Sequence, residues 1–153
     1  MLNPPAINFR ILLLVDARIL GNDPMDLSPN SPRMRILIVD DESSVRFVLS
    51  EFLQSEGHSI CTASDGAEAL EVLLQDKWDM VLTDRSMPGM TGDELAAAVK
   101  AVDPHLPVVM ITGNVDPKRD YNAEPRKVDV VLRKPFTFAA IRNAMSEASA
   151  ACR

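Results

Sequence analysis

The chain has 153 residues, 46% of them apolar and 25% charged, with a formal net charge of −6 at pH 7 and a pI near 4.9. These values fit one globular domain and argue against a nucleic-acid partner, which calls for a basic face. The longest unbroken apolar run, Ile11 to Val15, falls far short of the ~20 residues of a membrane span and of the about 7–15 residues of a secretory signal core, so the chain reads as cytoplasmic, without membrane contact.

Residues 1–33 carry Pro4, Pro5, Pro24, Pro29 and Pro32, and the stretch GNDPMDLSPNSPR (21–33) has the composition of a linker. They read as an N-terminal extension or linker, open to disorder, ahead of a compact domain over residues 34–153 for which Met34 makes a natural start. RILLLVD (10–16) echoes RILIVDD (35–41), but one offset copy is not a repeat array.

From Arg35 onward strands and helices alternate. Ile36–Val39 is apolar and β-branched and predicts a strand; Glu42–Ser55 carries Val45, Val48, Leu49, Phe52 and Leu53 at helical spacing, and Gly57 stops it. Ser43 and Ser44 read as residues that cap this helix, not as nucleophiles, since no histidine is placed to activate them. Ser59–Ala63 predicts a second strand. Asp65-Gly66 opens a second helix with Ala67, Leu70, Leu73 and Leu74 on one face. Asp79–Thr83 predicts a third strand, Thr91–Val102 a third helix, and Pro107–Thr112 a fourth strand. Residues 114–129 hold Pro117 and Pro125 with few apolar anchors, which predicts at most a short, frayed helix. Val128–Leu132 predicts a fifth strand and Phe138–Ala150 a last helix. Cys61 and Cys152 lie far apart with no zinc or redox spacing, and His58 and His105 read as plain surface residues.

Strands separated by helices of about 10–14 residues predict βα units and a parallel, doubly wound α/β sheet. Such sheets bind ligands outside the carboxyl ends of their strands. Strand 1 ends in Asp40-Asp41, strand 3 in Asp84, strand 4 in Thr112 and strand 5 in Lys134-Pro135. Three carboxylates, a hydroxyl and an ammonium therefore share one rim. Adjacent carboxylates repel, so a cation belongs among them. Oxygen ligands without nearby His or Cys suit Mg²⁺, Mn²⁺ or Ca²⁺, and a Lys and a Thr beside such an ion suit phosphoryl chemistry, in which a carboxylate can be the nucleophile.

ILIVDDE, VLTDRSMPGM, VVMITG and VLRKPF, in that order, resemble the receiver domain of two-component response regulators over about residues 34–150. The resemblance implies a flavodoxin-like five-stranded sheet of order 2-1-3-4-5. It implies that Asp84 is the phosphoacceptor, that Asp40, Asp41 and Asp84 with the backbone carbonyl of Ser86 hold Mg²⁺ (Mn²⁺ being the substitute), and that Thr112 and Lys134 bind phosphoryl oxygens, with a cis bond between Lys134 and Pro135. The donor would be a histidine kinase or a histidine phosphotransfer protein, and the signal would pass to a protein target, with a homodimer open. The phosphoryl group would be accepted in a self-catalysed transfer, not turned over as by an enzyme. Three places bear on how far the pattern carries over. An aromatic residue is common three positions before the lysine, where this chain has Val131; the 114–129 segment is thin where many receivers dimerise; and Arg85 follows Asp84 while Ser86 and Asn114 sit two after Asp84 and Thr112, positions whose side chains tune hydrolysis of the aspartyl-phosphate in this family. After Lys134 there is room in this sequence for the last helix but not for a DNA-binding output domain, which points to a stand-alone receiver or one cut from a hybrid kinase. Two alternatives stay open here. One is a phosphatase or phosphotransferase with an aspartyl nucleophile, although the acid two residues after it is missing beyond Asp84. The other is a degenerate receiver that works without phosphorylation.

Overall fold

The structure, a computed structural model, describes residues 32–114 and 127–152. In chain order the elements are β1 (Arg35–Val39), α1 (Ser43–Ser55), β2 (Ser59–Ala63), α2 (Gly66–Gln75), β3 (Met80–Asp84), α3 (Gly92–Val102), β4 (Val108–Thr112), β5 (Val130–Arg133) and α4 (Phe138–Ala151). All four strand pairings are parallel and the order is β2-β1-β3-β4-β5. The order reverses between β1 and β3, so the crevice above their carboxyl ends is where this architecture places ligands. The frayed helix expected between β4 and β5, and most of the N-terminal extension, lie outside the described residues.

Alternation along each central strand feeds two cores. Ile36, Ile38, Met80, Leu82, Val109 and Ile111 face one layer, where Leu49 and Leu53 of α1 and Ile141 and Met145 of α4 close over them. Leu37, Val39, Val81, Val108 and Met110 face the other layer, against Ala69 and Leu73 of α2 and Leu95 and Val99 of α3. A strand buried on both faces has no polar face, which explains the unbroken apolar runs of β1 and β4. The edge strands differ: β5 is only half-buried along Val130–Leu132. Among the described residues, no helix is long and apolar enough to cross a membrane.

Four local expectations need correction. The buried side of α2 is Gly66, Ala69 and Leu73, with Leu74 71% exposed and Ala67 also outward, so the apolar stripe is turned relative to the expected one. Helix α1 is capped at Glu42 with no side-chain cap; Ser43 and Ser44 lie inside the first turn, past the position from which a hydroxyl satisfies the leading amides. Strand β3 runs through Asp84, one residue farther than expected, and β5 starts at Val130, two residues later. His58 is half-buried, and its Nδ1 accepts the backbone amide of Met34 at 3.3 Å, tying the entry of the domain to the α1–β2 turn. That turn is made by Gly57 at φ +90°, a left-handed conformation that favours glycine. His105 is exposed, as expected.

Candidate functional site

Strands β1 and β3 are neighbours in the middle of the sheet, paired from Ile36–Met80 to Val39–Thr83. They therefore deliver Asp40, Asp41 and Asp84 to one spot. One carboxylate oxygen from each lies within 4.8 Å of the others. Asp40 is 1% exposed and Asp84 7%, while Asp41 opens to solvent. From the far strand, β5, comes Lys134, whose amide donates to the Thr112 carbonyl at 2.8 Å and whose bond to Pro135 is cis. Its ammonium lies 3.3 Å from Asp84 Oδ1 and 3.7 Å from Asp40 Oδ2.

One ammonium does not balance three carboxylates. Burial pushes Asp40 up to about 6, and Asp84 and Asp41 add repulsion in the same direction, against the Glu42 amide and Lys134, which favour the anion. Asp84 is raised as well, chiefly by burial, with Lys134 opposing. Asp40 Oδ1 accepts the Glu42 amide at 2.9 Å, but the buried Oδ2 has no hydrogen-bond partner. A buried, unsatisfied carboxylate oxygen facing two further acids fits a hard divalent cation with an all-oxygen shell.

Beside the acids opens a cavity of about 650 Å³ lined by, among others, Asp41, Arg85, Ser86, Asp93, Thr112 and Asn114. Ser86 lines the same cavity as Asp41. Thr112 is buried, and its hydroxyl is engaged locally: it donates to the Asn114 carbonyl at 2.9 Å and accepts the Asn114 amide at 3.1 Å. Arg85 is 8% exposed and makes a 3.4 Å ion pair from Nε to Asp93 Oδ2 and a 3.3 Å hydrogen bond from Nη1 to the same Asn114 carbonyl. The resemblance marked Arg85 and Asn114 as flanking side chains that tune the lifetime of an aspartyl-phosphate, but not as partners of each other. The available signal was a cation set directly behind a strand with no polar face, where a partner has to exist. Val131 pairs with Met110 and packs half-buried against the α2–α3 core, away from any aromatic role.

The response regulator receiver domain family matches residues 36–146. The chain belongs to this family. The receiver is 38% identical over 112 residues to the chemotaxis protein CheY of Pseudomonas aeruginosa, covering 71% of this chain and 90% of that protein. It is 32% identical over 149 residues to the sensor histidine kinase RcsC of Escherichia coli, covering 93% of this chain but spanning only 15% of that kinase. Among solved structures it resembles response regulator protein TrrA of Thermotoga maritima, crystallised in complex with Mg²⁺ and BeF, with a TM-score of 0.67, 32% identity and coverage of 74% of this chain and 96% of that one. The expected flavodoxin-like, five-stranded receiver fold of order 2-1-3-4-5 is thus present. Receivers as a class accept a phosphoryl group for two-component signalling, and neither the phosphatase nor the degenerate reading is favoured.

Proposed function

We propose that this receiver takes a phosphoryl group from a phosphohistidine onto Asp84 and signals the change through protein contacts. The reading rests on one observation above the others: a half-buried ammonium 3.3 Å from Asp84 Oδ1 and 3.7 Å from Asp40 Oδ2 in a three-acid cluster. Asp40, Asp41 and Asp84, with the Ser86 backbone carbonyl, would hold Mg²⁺ (or Mn²⁺), which when bound neutralises the acids and the charge on phosphoryl oxygens. Lys134 orients the Asp84 carboxylate and receives a second phosphoryl oxygen. Thr112, once its hydroxyl leaves Asn114, donates to a third. The chain positions and screens rather than turning over a substrate, so we read it as an acceptor and not an enzyme.

The donor is a histidine kinase or a histidine phosphotransfer protein, met in the cytoplasm, and the receiver proper is residues 34–153 with 1–33 as a linker. A downstream protein completes the set of partners we infer. Incubation with acetyl phosphate and Mg²⁺ followed by intact mass measurement tests the reading. A single phosphoryl adduct is expected, and it is absent from Asp84→Asn. An adduct that persists in Asp84→Asn moves the acceptor elsewhere, and rapid multiple turnover of a phosphomonoester points to an enzyme.

A further inference from the structure

The Asn114 carbonyl accepts two donors from different strands. Thr112 Oγ1 reaches it at 2.9 Å from the end of β4, and Arg85 Nη1 at 3.3 Å from the residue after Asp84. A carbonyl has two lone pairs, so both bonds coexist. The Arg85 contact is the longer one, and its donor is charged; such bonds strengthen as the geometry closes. Arg85 is also held in place by its own backbone, whose amide donates to Ile111 at 3.0 Å and whose carbonyl accepts from Gly92 at 2.8 Å. Its Nε faces Asp93 in the first turn of α3.

We infer that Arg85 is a positioning residue for the Thr112 hydroxyl, taking over the Asn114 carbonyl when that hydroxyl turns to a phosphoryl oxygen. This rests on the reading of Asp84 as the acceptor. In the resting receiver the carbonyl is satisfied by Thr112 whether or not Arg85 is present. In the phosphorylated receiver Thr112 has left, and among the described residues Arg85 is the donor that remains to this carbonyl. Removing Arg85 therefore costs more in the second state than in the first. Through Asp93 the same guanidinium connects the loop after β4 to the start of α3, a route that does not use position 131, where this chain has a valine.

The asymmetry has a signature that a purely structural or purely electrostatic Arg85 lacks: it vanishes when Thr112 has no hydroxyl to move. Beryllium fluoride in saturating Mg²⁺ is the probe, titrated by calorimetry against four proteins: the parent, Arg85→Met, Thr112→Val and the double variant. Methionine keeps the buried stem without a donor, and valine keeps the shape of threonine. We expect Arg85→Met to weaken beryllofluoride binding about three- to tenfold in the parent and less than about twofold in the Thr112→Val background. Arg85→Gln, which retains an uncharged donor, repeats the cycle with a smaller loss should the methionine variant not fold. Equal losses in both backgrounds overturn the inference, because the arginine then acts by charge or packing alone; no loss in the parent does the same. A parent that binds no beryllofluoride removes the acceptor reading first, and the inference falls with it.

Discussion

At the scale of single residues, two positions next to the acceptor are under tight constraint. A Cβ built on Gly92 would lie 2.2 Å from the Asp84 carbonyl oxygen and 2.8 Å from the Arg85 Cα. Both are backbone atoms, so the clash is relieved only by shifting the end of β3 or the start of α3. Gly92→Ala is expected to cost about 1–3 kcal/mol in denaturant unfolding and to slow uptake of phosphate from acetyl phosphate. Asp40 supplies the second constraint. Its folded pKa, about 6, lies above the ordinary 3.8, so the folded state binds this proton more tightly than the unfolded chain does. Ionising Asp40 therefore lowers the stability of the metal-free protein as pH rises across the interval between those values. Asp40→Asn removes that dependence, and its melting temperature should climb relative to the parent as pH goes from about 4 to about 7. A gap between the two proteins that stays constant with pH would mean that Asp40 ionises normally.

At the scale of elements, α3 owes its start to a reciprocal cap. Thr91 Oγ1 accepts the Glu94 amide at 3.2 Å, and the Glu94 carboxylate accepts the Thr91 amide at 2.8 Å. Thr91→Ala should cost about 1 kcal/mol by chemical denaturation, with no effect on whether an adduct forms. Strands and helices were largely legible because the period of apolar residues switches cleanly between them, and the acids, Thr112 and Lys134 were legible because each closes a strand. Other features were hidden for physical reasons. The turned face of α2 depends on how Ala69 and Leu73 meet the sheet, which the ambiguous row of apolar residues in that helix does not encode. The Glu42 cap replaced the serines because Asp40 already engages the Glu42 amide ahead of the helix. The pairing of Arg85 with Asn114 joins positions 29 apart that meet only once β3 and β4 are paired.

At the scale of the whole molecule, the sheet separates two cores that, among the described residues, share no helix. Ile141→Val on the α4 side should cost about 1 kcal/mol and Leu95→Ala on the α3 side about 2–5 kcal/mol. Because the sheet lies between them, the double variant should equal their sum to within about 0.5 kcal/mol in equilibrium unfolding, and a larger departure would mean that the two layers repack together. The sheet also grades its own exposure. The acids hang from β1 and β3, which are buried apart from Arg35 at the start of β1, whereas the lysine hangs from β5, the half-open margin. Fraying of that margin would withdraw the amine while leaving the carboxylates in place. The lifetime of a phosphorylated receiver would then follow the breathing of its outermost strand, and amide hydrogen exchange along Val130–Arg133 would run in step with signal decay.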